Sequence, residues 1–339
     1  MSNRLICGIL SLLLLAAPLV LSQETTAAPV DQAVANQEKN QPAATPTKDV
    51  FFAEPTKESN ISKILPPQDI FYFEYIFQPK NDIRKEENTS FDLHEYRLGF
   101  DPMLPLENNL FFGLGITYNA YNFRFEVQDT HGSINLHALT FPITLAWIGD
   151  EWMFYGRLET GIKSDFHGLN RRDMQVNCTL LAGYLFSPNF LFEFGMAFAN
   201  DFGDLVPIPL IGLEWKVVPD LLDISMLIPF HARINLHPIA DAPEKLVLFA
   251  YYELDGDQFR FRYRDIDDEV KEEDAQFTFY RLGLGAEFFA VKGVSFKLTF
   301  GMTAEGEYEF RSLPKDKGRI DSTYFLMAGI NINSELFDF

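Results

Sequence analysis

The sequence is short of several things, and each shortage excludes a class of protein. Only two of its 339 residues are cysteine, Cys7 and Cys178. Cys7 falls in a segment expected to be removed, so the mature chain has one thiol and no internal disulfide. Positive charge is scarce: 28 Lys and Arg stand against 48 Asp and Glu, for a net charge of -20. A chain this acidic does not bind a phosphate backbone in bulk, because that needs clustered Lys and Arg, and no nucleic-acid partner is expected. Long apolar runs are missing except for one near the N-terminus, whereas a helical membrane protein shows several of about 20 residues. Yet 15% of the chain is aromatic, with 34 Phe, while its mean hydropathy is near zero. Apolar and polar residues are therefore interleaved, and the period of interleaving decides the fold.

Motifs that carry chemistry are scarce too. None of the six histidines (His94, His131, His137, His167, His231, His237) goes with a Ser in a G-x-S-x-G motif. His231 and His237 have no finger or zincin spacing. The acidic run from Asp265 to Asp274 lacks the glycine and spacing of an EF-hand loop and reads as a solvated outer loop. Gly113/Gly115 and Gly283/Gly285 lie inside alternating segments with no helix after them, so they are not a dinucleotide fingerprint. No catalytic residue, cofactor or metal is expected.

The N-terminus has the parts of a secretory signal over residues 1–22: Arg4, the apolar run Leu5 to Leu21, and a cleavage site at Val20-Leu21-Ser22 before Gln23. Residues 23–67, rich in Ala, Pro, Thr and Gln, show no sustained period and read as a disordered periplasmic linker.

From residue 68 to 339 the pattern has a period of two. In Val294 to Glu305 one face is Val294, Phe296, Leu298, Phe300, Met302 and Ala304; the other is Ser295, Lys297, Thr299, Gly301, Thr303 and Glu305. Strands place successive side chains on opposite faces, and a helix would mix these sets. The apolar faces are long, and the opposite faces carry charges of both signs with glycine, as a barrel lumen does. Tyr118, Trp147, Trp152, Tyr184 and Trp215 fall near segment ends, as in an interfacial girdle. The expected fold is all-β: an antiparallel transmembrane β-barrel of about 12 strands, within a range of 12 to 14.

Short connections (149–151, 187–189, 218–220, 240–243, 291–293) alternate with long polar ones (80–90, 123–134, 165–173, 257–275, 310–320). That fits short periplasmic turns and longer outer loops, and location in a bacterial outer membrane. Pro229 and Pro238 leave the strand number open: Leu222–Ile228 and His231–Leu236 are either two wall strands or an inward hairpin. Phe339 ends the chain as an aromatic signal for outer-membrane assembly machinery, although Ser334 to Phe339 shift phase. Outer-membrane lipids and lipopolysaccharide are the other expected partners; the oligomeric state is not set by the sequence.

Leu205 to Trp215 (LVPIPLIGLEW), Val218-Pro219-Asp220, Leu227-Ile228-Pro229 and Leu246 to Asp257 (LVLFAYYELDGD) resemble an uncharacterised family of outer-membrane β-barrel proteins, described mainly as a domain of unknown function. The resemblance covers about 69–339. It implies location and fold and supplies no substrate.

The residues expected to line the lumen are Glu95, Arg97, Arg157, Glu159, Lys163, Glu193, Arg281, Glu287, Lys297 and Glu305. Two readings stay open. In one they line an aqueous pore for small hydrophilic solutes. In the other they pair and rigidify a closed barrel that serves as a structural or surface-interaction protein. A lipid hydrolase is a third and poorer reading, because the nucleophile motif is missing.

Overall fold

The computed structural model of the chain describes residues 59–66, 68–83, 89–107, 109–127, 130–167, 169, 171–201, 204–239, 242–243, 245–264, 270–310 and 318–337. All lie in the unit Phe52–Phe339. The expected signal segment, most of the expected linker and Phe339 lie outside the described residues.

Antiparallel strands follow one another along the chain. β1 (Asp69–Asp82) pairs β2 (Thr89–Phe100), and β3 (Met103–Pro105) pairs β4 (Leu110–Leu114). β5 (Ile116–Val127) continues β4, and both lie on β6 (Thr130–Ile148). β7 (Trp152–Ser164), β8 (Met174–Ser187), β9 (Phe190–Asp201) and β10 (Asp204–Val218) form the next wall. β11 (Leu222–Ile228) and β12 (His231–Leu236) lead to β13 (Leu246–Arg264), β14 (Val270–Val291) and β15 (Val294–Phe310). β16 (Gly318–Ile320) and β17 (Thr323–Asn333) share β15, and β17 returns to β1. The sheet has 17 strands. Because β2/β3, β4/β5 and β16/β17 each continue one another, they make 14 staves (17 less 3) in a closed ring among the described residues.

The Pro229 question is answered by the ladder. Pro229 and Phe230 form the turn between β11 and β12, which are wall strands with a neighbour on each side. The ring therefore stands at the upper end of the expected range, and the inward hairpin behind the lower count is corrected. Pro229 sits in the turn and Pro238 beyond the end of β12, where no ladder donor is needed.

The long connections are shorter than the sequence suggested. Residues 257–275 are mostly strand: β13 and β14 pair continuously from Leu246↔Phe288 to Arg264↔Val270. Charges on both faces looked like a solvated loop. They are a cross-strand ladder in which Arg260 Nε meets Asp274 at 2.7 Å and Arg262 Nη2 meets Glu272 at 2.9 Å. Residues 123–134 likewise belong largely to the β5–β6 hairpin, which places His131 in a strand.

Period two sorts the faces. On β14, Leu284 is 70% exposed outward while Arg281 is 0% exposed inward. Leu298, Phe300, Phe288, Phe194 and Leu326 continue the outward apolar band. Water does not tolerate a band of this size on a monomer, and a ring that closes through β17 and β1 pairs its strands internally, as lipid requires, save for the β10 edge beyond Ile211. The ring is a transmembrane β-barrel. At its short-turn end the Trp152 and Tyr184 rings lie 4.7 Å apart, and Phe190 and Trp215 6.0 Å apart, with exposed Trp147 beside Phe154. Inward glycines make room for rings laid along the wall: a Cβ on Gly99 would strike Tyr72, and one on Gly283 would strike Tyr251. After Asn333 the chain leaves the wall in a 3-10 turn, Ser334–Phe337, which accounts for the lost phase.

Candidate functional site in the barrel lumen

The inner face divides into two sectors. In the sector from β13 through β14, β15, β17, β1 and β2 to β6, side chains meet across the lumen. Arg281 Nη2 bonds Glu95 Oε2 and its Nη1 bonds Asp255 Oδ2, both at 2.6 Å. Arg97 reaches Glu253 at 2.8 Å, Asp255 at 2.9 Å and Glu74 at 3.7 Å, and also pairs with Glu95. Lys297 pairs with Glu74. With its amide oxygen turned to Arg281, Gln78 accepts from Nη2 at 2.7 Å. Arg281 and Glu95 are both 0% exposed. Charges this dry persist only when each is paired and hydrogen-bonded.

Toward the long-loop end this network is capped by an apolar cluster of Phe91, Leu93, Tyr121, Phe123, Leu136, Ala138, Phe259, Phe261, Ala275, Phe279 and Ile320. Phe123 stacks on Phe277 at 4.7 Å, and Tyr121 meets Phe259 edge-on at 5.2 Å. The cluster forms because β13 leans across the ring to β7 and β8. Asp165 N donates to Arg260 O at 3.1 Å, and Arg262 N donates to Asp165 Oδ2 at 2.8 Å. Gln175 Nε2 donates to Gln258 O at 2.8 Å, and Lys163 pairs with Asp257. The upper ring thus closes without β9 to β12. This sector is sealed.

The other sector, β7 to β12, is looser. Its inner residues include Arg157, Glu159, Thr179, Gly183, Glu193, Gly195, Ala197, Gly212, Glu214, Ser225 and Arg233. Several are small, and Arg157, Glu159 and Arg233 keep side-chain exposures of 22%, 34% and 29% inside the ring. Arg157 pairs with Asp101 and, at 2.7 Å, with Glu159. Arg233 reaches Glu287 at 2.7 Å, and Ser295 Oγ donates to the other Glu287 oxygen at 2.6 Å. Glu214 accepts from Ser225 Oγ at 2.6 Å. No cation among the described residues pairs with Glu193 or Glu214, which face inward from adjacent strands.

The short-turn mouth of this looser sector is covered from within. Residues 59–66, the end of the expected linker, form a turn in which Ile64 N and Leu65 N donate to Ile61 O at 3.0 and 3.1 Å. Ile61 and Ile64 are buried on Met153 and Leu191, with Leu65, Ile148, Tyr155 and Leu185 around them. Lys216 Nζ donates to Lys63 O at 2.6 Å. In a polar segment, two isoleucines three residues apart give no strand period, so the sequence did not mark this turn.

Of the ten residues named from the sequence, the structure joins Glu95, Arg97, Arg281 and Lys297 in one network. It puts Arg157 with Glu159, Lys163 with Asp257, and Glu287 with Arg233; the Glu305 side chain lies outside the described residues. Sequence reasoning missed Glu74, Glu253, Asp255 and Asp257. The last three stand at alternate positions of LVLFAYYELDGD, where Glu and Asp follow Phe249 and Tyr251 on one face.

A protein-family profile described as "Domain of unknown function (DUF6268)" matches residues 143–316, which include the segments 205–215, 218–220, 227–229 and 246–257. No curated protein matches the chain in sequence. Among solved structures, the toluene transporter TodX of Pseudomonas putida is similar at 10% identity, covering 81% of this chain and 92% of that one, with a TM-score of 0.39. An outer membrane channel from Pseudomonas putida F1 also matches at 10% identity, over 79% and 97% of the two chains, with a TM-score of 0.39. The outer membrane phospholipase A of Escherichia coli matches at 12% identity, over 81% and 97%, with a TM-score of 0.33.

Proposed function

The chain belongs to the DUF6268 family, a domain of unknown function, and on that premise we propose an outer-membrane barrel that passes small hydrophilic solutes through its β7–β12 sector. The observation that carries this is the contrast in the lumen. On one side Arg281 and Glu95 are fully buried in a paired network, while on the other Glu159 and Arg233 keep exposures of 34% and 29% among small residues. A ring of 14 staves is too wide for side chains alone to fill. Mixed charges along a water-filled gap orient small polar solutes without holding them tightly. The exposed apolar band meets the outer-membrane lipids, and the long loops face outward.

A closed barrel that acts as a scaffold is the second reading. It is favoured by the two apolar clusters, one in the long-loop end and one under the 59–66 turn. Single-channel recording of the chain from Gln23 in a planar bilayer separates the two. Current steps whose ion selectivity changes in Arg157→Gln support the channel. A silent protein with β-structure and heat-modifiable gel migration supports the scaffold.

A further inference from the structure

We propose that the barrel wall has a side entrance between β10 and β13, above the β11–β12 hairpin, through which apolar molecules dissolved in the bilayer reach the inner wall of β8 to β10. β11 and β12 are 7 and 6 residues long, short of the roughly 9–11 that carry a strand across the apolar core. Their ladders end at Ile211↔Ile228 on β10 and His231↔Glu253 on β13. Beyond that level β10 runs on from Leu210 to Asp204 paired with β9 alone among the described residues. β13 runs on too, but its edge on that side goes to Asp165 and Gln175, away from β10. The two walls diverge over a gap whose floor is the Pro229-Phe230 turn, with Phe230 O accepting from Leu254 N at 2.7 Å.

The gap lies within the apolar band. Pro209 and Pro207 are level with Met196 and Phe198, outward residues of β9, and Met196 is 38% exposed. The edge chemistry keeps the gap open. A free strand edge is a template for another strand, but Pro207 and Pro209 lack N–H donors. The ladder to β9 runs past both without a register shift, so the missing donors fall on the free edge, where proline is tolerated.

The side chains supply the path. Between Leu205 and Ile211, β10 is apolar on both faces: Leu205, Pro207, Pro209 and Ile211 outward, Val206, Ile208 and Leu210 inward. A strand apolar on both faces normally has apolar material on each side. Here the inward residues continue into Ala197 and Gly195 on β9 and Leu181 on β8. Val206, at the lip, is 39% exposed although it faces inward. At the same height β7 presents Arg157 and Glu159, so a molecule with an apolar body and one polar group meets both surfaces. This inference deepens the channel reading by naming a second class of solute, and its test does not depend on current.

The test uses the mature chain with Trp147, Trp152 and Trp215 replaced by Phe and one new tryptophan, refolded into vesicles of phospholipids with brominated acyl chains. Val206→Trp faces inward at the gap. Ser225→Trp faces inward on β11, which has a neighbour on each side. Leu205→Trp faces the bilayer. The expected result is that Val206→Trp is quenched as strongly as Leu205→Trp, while Ser225→Trp is quenched far less. Quenching of Val206→Trp no stronger than that of Ser225→Trp overturns the entrance. Heat-modifiable migration checks each fold, and Ile208→Trp replaces Val206→Trp should that variant not close. Planar-bilayer recording then separates the claims. A silent barrel with a quenched Val206→Trp keeps the entrance and loses the channel; a conducting barrel without quenching does the reverse.

Discussion

The two sides of the lumen are built from the same residue types and behave differently. In the β13–β6 sector Arg281, Arg97 and Lys297 are each tied to carboxylates of other strands, with Arg281 fully buried. In the β7–β12 sector Arg157 pairs with Asp101 and with Glu159 two residues along its own strand, and Arg157 and Glu159 stay partly exposed. The difference comes from reach. β13 crosses toward β7 above its pairing with β12, so the sealed side is narrow enough for arginines to span it. β9 to β12 are left outside that closure. Paired charges close a lumen or line it according to the distance between the walls.

The largest effect should come from breaking the sealed side. Arg281→Met leaves Glu95 and Asp255 buried without a partner, and removing one member of a buried pair costs about 3–5 kcal/mol. The heat-modifiable transition should fall steeply in temperature. Glu159→Gln, in the looser sector, should change stability by less than about 1 kcal/mol, since its pair with Arg157 is partly hydrated and such pairs contribute little. Equal losses in the two variants would erase the distinction.

Phe123→Ala, in the apolar cluster, should cost about 3–5 kcal/mol through lost burial and the cavity left behind. Denaturant unfolding followed by gel shift reads it. Next is the 59–66 turn. Replacing Ile61 and Ile64 by Asp should release it from Met153 and Leu191, raising single-channel conductance while the barrel still migrates as folded. No rise would mean that the turn does not limit passage. The smallest effect belongs to Arg262→Ala. Its pair with Glu272 is exposed, and such pairs contribute about 0.2–1 kcal/mol.

Much of the wall could be read from the sequence because a strand's period is two and faces do not mix. Val294 to Glu305 showed which residues share a side. What each meets across the ring could not be read: Arg281 and Glu95 are 186 positions apart, and no local pattern encodes that contact. The strand count stayed open because Pro229 fits a hairpin tip in the wall as well as one folded inward. Residues 257–275 looked like a loop because their strands carry polar groups on both faces, as a hairpin can once it leaves the lipid band. The gap beside β10 was written in LVPIPLIGLEW, but two prolines and unbroken apolarity acquire that meaning only beside a short β11.

The claim that passage is confined to the β7–β12 sector is tested most directly by thiol block of single-channel current. In a Cys178→Ser background, Thr179→Cys puts a thiol on the inner face of β8, and Thr299→Cys puts one on the inner face of β15, where Thr299 is 1% exposed. A charged methanethiosulfonate reagent should reduce the current steps of Thr179→Cys and leave those of Thr299→Cys untouched. Equal block of both, or block of Thr299→Cys alone, would contradict the account.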